Sequence, residues 1–237
     1  MRTKRHIASL MCSFPATAAF ALFGAVLLGA EPGGISGKVS AVDGTLVDAA
    51  LSLHDLTTAR VIGAKPFDHQ FSSRRDGTFK LSSVPAGQYE ICVDAPHLNV
   101  LDPCKWGGSQ KFTITAAATT TVNLTVQRGY LMKLRVNDGN GLLSTAPAGP
   151  AGPSLQLVVQ TIQGTFENLR LQGVDATGRN HYLVIPYNMP LVLVATGTDI
   201  ALRDSNNVRY KNDSVQLPIV AMSGSTLPTV TFNITKP

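Results

Sequence analysis

The sequence predicts an all-β fold of two tandem antiparallel β-sandwiches behind an N-terminal signal segment. Three observations predict it. Apolar and polar residues alternate in short runs that are rich in β-branched and aromatic side chains. The runs recur about every ten residues and are bounded by Gly, Pro, Asp or Ser, as in sandwich proteins. No stretch combines helical periodicity with a cap, so we expect almost no helix beyond the N-terminal segment.

The first 30 residues have the layout of a secretory signal. Arg2, Lys4 and Arg5 precede an uncharged, largely apolar run from Ile7 to Ala30. We expect cleavage after Ala30. An uncleaved membrane anchor is the alternative, because a spanning helix needs about 20 residues. Either version places the rest of the chain outside the cytoplasm: secreted, in the periplasm or at the cell surface.

The basic balance of the chain comes largely from this segment. Without residues 1–30 the chain has seventeen Lys and Arg and fifteen Asp and Glu, so the formal charge falls from +5 to +2. Arg74 and Arg75 form an isolated basic pair, and no basic stripe with interleaved aromatic residues follows them. Nucleic acid is therefore not an expected partner. Membrane contact is expected only through an uncleaved anchor.

Alternating runs predict strands along both halves of the exported chain. In the first half they lie at residues 35–41, 49–55, 77–83, 88–93, 111–115 and 121–126. In the second half they lie at residues 130–136, 155–160, 181–186, 191–197 and 229–234.

Two turn signals divide the stretch RRDGTFKLSSVPAGQYEICVDAP into a pair of strands. Asp76-Gly77 predicts a hairpin-type turn, because glycine adopts positive φ without strain. The segment VPAG predicts a second turn at residues 84–87. In the strand that follows, Tyr89, Ile91 and Val93 share the core face, which leaves Cys92 on the polar face.

The segments ISGKVSAVDGTLVDAALSL, DGTFKLSSVPAGQYEICV and TTTVNLTV give the first half a resemblance to the carboxypeptidase regulatory-like domain. The resemblance covers residues 34–128. It implies an Ig- or transthyretin-like β-sandwich, grouped with the carbohydrate-binding-like folds. It also implies an accessory role in folding, spacing or binding. The sequence departs from the pattern at residues 57–69, where a long insertion replaces a tight connection.

The second half, residues 130–237, resembles a degenerate copy of the first. YLMKLRVNDGNG corresponds to ISGKVSAVDG, and Tyr182 takes the place of Phe79. We place the domain boundary at residues 127–129, between the last strand of one unit and the first of the next. The Pro/Gly-rich segment at residues 146–154 is expected to be an extended loop.

Two cysteines remain after the signal segment, and we expect Cys92 and Cys104 to form a disulfide in an oxidising compartment. The bridge would hold His97, Lys105 and Trp106 in a fixed surface patch, which makes these three the candidate ligand-binding residues. Trp106 has two interpretations. An indole beside a disulfide is suited to stacking on a sugar ring or filling a partner's pocket. The favoured interpretation is that Trp106 covers the open end of the sandwich.

Catalytic and metal-binding motifs are not found. The sequence contains no Gly-x-Ser-x-Gly, no His-Glu-x-x-His and no phosphate-binding glycine loop. The dipeptides His54-Asp55 and Asp68-His69 flank the insertion, and their side chains could lie close together in the fold. Two histidines and two aspartates around a loop fall short of a structural zinc site with defined spacing. We therefore predict no metal, no cofactor and no enzyme.

The favoured function is a non-enzymatic exported module that binds or scaffolds at the cell envelope, with a protein or glycan as partner. The alternative is a carbohydrate-binding protein that uses the Trp106 loop, although only 6% of the residues are aromatic. A third alternative, an exported hydrolase, has no positive feature in the sequence.

Overall fold

The computed structural model describes residues 31–58, 63, 65–143 and 152–237. The predicted signal segment lies outside the described residues, as does most of the predicted loop at residues 146–154. Two sandwiches follow one another along the described chain, so the predicted all-β fold is confirmed. Among the residues that the structure describes, no helix is long and apolar enough to cross a membrane.

The first sandwich consists of a three-stranded and a four-stranded sheet, in the orders β4-β1-β7 and β3-β2-β5-β6. Its strands are β1 (Gly33–Ala41), β2 (Ala50–Asp55), β3 (His69–Ser72), β4 (Thr78–Val84), β5 (Gly87–Asp94), β6 (Lys111–Ile114) and β7 (Thr119–Val126). Between β5 and β6 the chain forms a 3₁₀ turn (Pro96–Leu98) and the short helix α1 (Pro103–Trp106).

The second sandwich consists of a five-stranded and a four-stranded sheet, in the orders β11-β12-β8-β16-β14 and β10-β9-β13-β15. Its strands are β8 (Tyr130–Asn137), β9 (Ser154–Thr161), β10 (Phe166–Asn168), β11 (Arg170–Asp175), β12 (Gly178–Ile185), β13 (Leu191–Thr198), β14 (Ala201–Arg203), β15 (Ser214–Ile219) and β16 (Val230–Thr235). A 3₁₀ turn (Lys211–Asp213) precedes β15.

Each sandwich has its own core, because alternate side chains of facing sheets point inward. In β5 the three residues predicted to face the core, Tyr89, Ile91 and Val93, are fully buried. The Tyr89 hydroxyl donates to the carbonyl oxygen of Pro85 at 3.0 Å, which fixes the preceding turn. In the second sandwich Leu193 and Phe232 are likewise fully buried.

The predicted Asp-Gly turn is present between β3 and β4. Gly77 has a φ of 73°, and a Cβ atom there would lie 2.4 Å from the carbonyl oxygen of Val39. The Asp76 carboxylate accepts from the backbone N–H and the hydroxyl of Thr78, at 3.0 and 2.6 Å. Glycine is therefore required at position 77 on both steric and conformational grounds.

In each sandwich one pair of strands is parallel rather than antiparallel. Strand β1 pairs with β7 in parallel, and β8 pairs with β16 in parallel. In both cases the first strand of the unit lies beside the last one, and the strands between them lie partly in the opposite sheet. The two sandwiches therefore share the parallel pairing of their first and last strands.

Candidate functional site

The predicted disulfide is present, and it closes the loop that connects β5 to β6. We call residues 95–110 the disulfide loop. Cys92 lies on the outer face of β5, and its Cα atom is 5.2 Å from that of Cys104 in α1. Disulfides require this kind of spacing, so the bridge folds the loop back beside its own strand.

Asp102 organises the start of α1. Its carboxylate accepts from the Cys104 N–H at 3.0 Å and from the Val93 N–H at 3.4 Å. Pro103 occupies the first helical position, where its missing N–H costs nothing. Burial raises the pKa of the Asp102 carboxyl, against the lowering effects of the Cys104 N–H and of Lys105.

Trp106, at the end of α1, packs against the core of the second sandwich rather than that of the first. Its ring is half-buried and lies between two concavities. One is a cavity of about 30 Å³ lined by Asp94, Lys105 and Arg170, with room for about one water. The other is a groove of about 190 Å³ that Pro186 and Met189 line on the side of the second sandwich.

Two ion pairs connect the first sandwich to the second, one at the end of β5 and one in the disulfide loop. Asp94 pairs with Arg170, and Lys105 Nζ lies 3.5 Å from Glu167 Oε2. Burial alone would lower the pKa of Arg170, but the hydrogen bond and charge of Asp94 leave that pKa raised. Glu167 and Lys105 are the more enclosed pair, with side chains 16% and 25% exposed.

Backbone hydrogen bonds join the disulfide loop directly to the connection between the sandwiches. The Leu101 N–H donates to the Gln127 carbonyl oxygen at 2.8 Å, and the Gly129 N–H donates to the Asn99 carbonyl oxygen at 2.7 Å. These bonds flank an antiparallel bridge between Val100 and Arg128. The connection is therefore a paired backbone segment, which restricts rotation between the two units.

Arg128 adds side-chain contacts at the same connection. Its guanidinium donates to the Leu98 carbonyl oxygen at 2.5 Å and to Asp43 Oδ2 at 2.9 and 3.0 Å. Hydrogen bonds from Thr45, with a further contribution from Arg128, lower the pKa of Asp43 to about 2. Asp43 lies in the turn after β1, so one arginine connects that turn, the disulfide loop and the start of the second sandwich.

The structure brings together two of the three predicted ligand-binding residues. Lys105 and Trp106 line the same small cavity. His97 is exposed and lines a separate groove of about 280 Å³, together with Leu171 and Tyr182 of the second sandwich. No pattern in the sequence points to Asp94, Arg170 or Glu167, because each pairs with a residue about seventy positions away in the chain.

The second candidate cluster, around the insertion, is only partly assembled. His54 Nδ1 lies 3.1 Å from Asp68 Oδ1 on the surface. Asp55 instead accepts hydrogen bonds from the Thr58 hydroxyl and from the backbone N–H groups of Thr57, Thr58 and Phe67. Burial alone would raise the pKa of Asp55, but these bonds, that of the Thr58 hydroxyl first, leave it lowered. The carboxylate of Asp55 thus orders the start of the insertion.

One group of three potential metal ligands occurs among the described residues: Cys92, Asp102 and Cys104. Its two sulfur atoms are bonded to each other, so the group offers no thiolate to a metal ion. In the oxidised protein the group is structural.

No protein-family model matches the chain, and no curated protein matches it. The resemblance to the carboxypeptidase regulatory-like domain therefore remains a prediction from the turns and strands of residues 34–128.

Several solved structures are similar to the chain at low identity. The Bacillus anthracis TIE protein is 11% identical with a TM-score of 0.34, over 86% of this chain and 34% of that one. The Streptococcal ancillary pilin is 11% identical with a TM-score of 0.39, over 87% of this chain and 62% of that one. A DUF3823 family protein from Bacteroides uniformis is 16% identical with a TM-score of 0.32, over 81% of this chain and 99% of that one.

The chain spans about a third of the length of the first of these proteins and less than two thirds of the second. At TM-scores below 0.4 these similarities carry no argument about the function of the chain.

Proposed function

We propose that the chain is a non-enzymatic exported module that serves as a rigid two-sandwich scaffold at the cell envelope. The observation that carries the proposal is the position of Trp106. A loop of the first sandwich, closed by its own disulfide, places this side chain against the core of the second. The backbone pairing of Val100 with Arg128 and two ion pairs join the same two sandwiches.

The charged groups at the junction support a structural role. Asp43, Asp94 and Glu167 each pair with an arginine or lysine, and Asp102 caps a helix. Carboxylates engaged in this way hold elements in place and do not leave an acid or base facing an open cleft. We propose residues 34–128 and 130–237 as the two structural units, and a protein or glycan of the envelope as the partner.

The position of Trp106 does not favour carbohydrate binding through the disulfide loop. A sugar platform needs an open aromatic face. The Trp106 ring instead is half-buried and packs against the second sandwich. The scaffold is therefore the better-supported of the two functions.

Residual dipolar couplings test the rigid junction. If the two sandwiches move together, the couplings of both units fit one alignment tensor in the oxidised protein. Reduction of the disulfide should loosen the disulfide loop and require two different tensors. Two tensors in the oxidised wild type would refute the rigid scaffold.

Export is tested separately, by replacing Arg2, Lys4 and Arg5 with Glu. The positive end orients the apolar run during insertion, so the variant precursor should accumulate in the cytoplasm. Unchanged processing and export of this variant would contradict a signal segment.

A further inference from the structure

Reduction of the disulfide changes what Cys92, Asp102 and Cys104 offer to a metal ion. We call these three residues the ligand group. Both sulfur atoms and a carboxylate oxygen of Asp102 lie within 4.8 Å of one another. In the oxidised protein the sulfurs are bonded to each other, whereas in the reduced protein each is a thiol that becomes a metal-binding thiolate when it loses its proton. The bridge therefore decides whether the ligand group has thiolates to offer.

The spacing of the ligand group fits a single tetrahedral ion. Bonds of about 2.3 Å to sulfur and about 2.0 Å to oxygen place the ligand atoms of tetrahedral zinc roughly 3.5–3.8 Å apart. The three atoms already lie within 4.8 Å of one another, so small movements bring them into this arrangement. Once the bond between them is broken, the two sulfurs separate to van der Waals contact, which is close to the spacing that zinc requires.

The Asp102 carboxylate is held at the site by hydrogen bonds that do not involve the sulfur atoms. The N–H groups of Val93 and Cys104 both donate to its Oδ1 atom, at 3.4 and 3.0 Å. Its Oδ2 atom accepts no hydrogen bond from a residue that the structure describes, so lone pairs remain for a metal ion. The carboxylate is thus both positioned and available.

Backbone pairing keeps both sides of the ligand group in place without the bridge. Cys92 lies within β5, where its backbone is opposite Ser52 of β2. Just before Asp102, the Leu101 N–H donates to the Gln127 carbonyl oxygen at 2.8 Å. Reduction therefore frees mainly α1, and Cys104 in that helix remains two residues from a held part of the chain.

The types of ligand in the group favour zinc over other common metal ions. Zn²⁺ accepts both thiolate and carboxylate ligands at a tetrahedral centre. Ca²⁺ and Mg²⁺ require oxygen ligands, and Cu(I) prefers sulfur, which would leave the carboxylate unused. Three protein ligands leave the fourth position to a water, and all three residues are half-buried. Such an ion exchanges with solvent more readily than the ion of a four-ligand structural site.

We propose that the thiol form of the protein binds one Zn²⁺ through Cys92, Asp102 and Cys104, and that formation of the disulfide expels the ion. The chain is synthesised with free thiols, so the thiol form precedes the bridge. Binding of Zn²⁺ releases the protons of both thiols to water. The proposal goes beyond the scaffold function and does not depend on a rigid junction.

Expulsion of the ion is a thiol–disulfide exchange. The two zinc-bound thiolates give up two electrons and form the Cys92–Cys104 bond. A disulfide of a partner molecule accepts these two electrons and two protons from water, and becomes two thiols. Zn²⁺ leaves with its charge unchanged, because the oxidised sulfurs no longer bind it.

Titration of the exported chain with Co²⁺ and then Zn²⁺ tests the site. After reduction with a water-soluble phosphine, Co²⁺ should give the charge-transfer absorption of thiolate ligands and the intense visible bands of a tetrahedral centre. Zn²⁺ should displace it at about one ion per chain, with release of about two protons measured by calorimetry in different buffers. The oxidised protein has the same sequence, and as the control it should show neither absorption nor displacement.

Asp102→Asn tests the third ligand. A neutral amide oxygen is a weaker zinc ligand than a carboxylate, so the zinc dissociation constant of the reduced variant should rise about tenfold or more. The variant keeps a side-chain oxygen for the Cys104 N–H, so the start of α1 retains its cap. Asp94→Asn removes a carboxylate at the end of β5 that is outside the ligand group, and it should leave the dissociation constant unchanged.

Limited proteolysis shows whether the ion lies at the disulfide loop. Zn²⁺ should protect residues 95–108 of the reduced protein from cleavage, because the ion closes the same loop as the bridge, and a chelator should restore cleavage. Reduced Cys92→Ser, which lacks one ligand, should gain no protection. A reduced wild type without the charge-transfer absorption, or one ion for every two chains, would refute the proposal. An unchanged dissociation constant in Asp102→Asn, or binding of Cu(I) but not of Zn²⁺, would also refute it.

Discussion

Asp94, at the end of β5 in the first sandwich, forms an ion pair with Arg170, at the start of β11 in the second. The two residues are 76 positions apart in the chain. Arg170 also lies opposite Tyr182 in the pairing of β11 with β12, so the pair connects a strand end of one unit to a sheet of the other. It borders the small cavity beside Trp106.

This ion pair should contribute little to stability, because its side chains are 37% and 40% exposed. A double-mutant cycle with Asp94→Ala and Arg170→Ala should give a coupling free energy of about 0.5–1 kcal/mol from urea unfolding. The coupling should decrease at high salt, since water and ions screen exposed charges. A cycle that pairs Arg170→Ala with a change at the exposed Asp48 is the control and should give no coupling. A coupling near zero for Asp94 would contradict the ion pair.

The disulfide should contribute more to stability than the ion pair. Replacing Cys92 and Cys104 by Ser should lower the free energy of unfolding by about 3 kcal/mol, because the unfolded chain regains the freedom of the closed loop. Proteolysis within residues 95–108 should increase. A thiol reductant should have the same effect on the wild type and none on the double variant. Two free thiols in the exported protein, found by mass spectrometry without reduction, would contradict the bridge.

Trp106→Ala separates a packing role from a ligand platform. Loss of a half-buried indole from the second core should lower the free energy of unfolding by about 2 kcal/mol, and therefore the melting temperature. Trp106→Phe keeps an aromatic ring at the junction and should cost less. An unchanged melting temperature in Trp106→Ala would instead favour the ligand platform.

The sequence predicts every central strand of the four sheets but only three of the eight edge strands, β4, β6 and β7. All eleven predicted runs correspond to strands of the structure, because alternation between a buried and an exposed face gives a period of two residues. The five strands without a prediction, β3, β10, β11, β14 and β15, are all at sheet edges. Edge strands are short or irregular: β10 and β14 have three residues each, β11 contains a bulge, and β15 contains Pro218.

At the candidate site, only the contact between residues close together in the chain could be predicted from the sequence. The pairing of Cys92 with Cys104 follows from their proximity in the chain and from the redox compartment. The contact of Trp106 with the second core does not follow from the sequence. The residues around Trp106 are equally compatible with a side chain that covers the end of its own sandwich. The direction in which the disulfide loop leaves β5 depends on long-range pairs, such as Val100 with Arg128.

The Asp102 carboxyl should make stability depend on pH in the unusual direction. Its folded pKa lies above the unfolded value near 3.8, so the folded state binds this proton more tightly than the unfolded state does. The resulting stability is fully present below pH 3.8 and is lost as the pH rises through the folded pKa. Asp102→Asn keeps a side-chain oxygen for the Cys104 N–H and removes the buried charge.

The melting temperature of Asp102→Asn should therefore exceed that of the wild type at pH 7. The difference should close as the pH falls below about 4, where the wild-type carboxyl is protonated. Asp102→Ala, which also removes the cap, should be less stable than Asp102→Asn by about 1 kcal/mol at every pH. A constant difference between Asp102→Asn and the wild type from pH 3 to pH 7 would show that the charge plays no part.

Gly129, in the connection between the two sandwiches, lies close to atoms of both. A Cβ atom there would lie 2.6 Å from Leu101 Cδ2, 2.7 Å from the Ile185 carbonyl oxygen and 2.7 Å from Val184 Cγ1. The first atom belongs to the disulfide loop and the other two belong to β12. Alanine at this position must displace one side or the other, and the Ile185 contact is with backbone, which yields least.

Gly129→Ala should therefore lower the free energy of unfolding by about 1–3 kcal/mol, as overpacking does elsewhere. It should also weaken the hydrogen bond from the Gly129 N–H to the Asn99 carbonyl oxygen, seen as faster amide hydrogen exchange at Gly129 and Leu101. Gly139→Ala is the matched control, because a Cβ atom at Gly139 has no neighbour within 4 Å among the described residues. If both variants unfold at the same urea concentration, the close approach at Gly129 does not fix the junction, and the relative position of the sandwiches depends on the other contacts there.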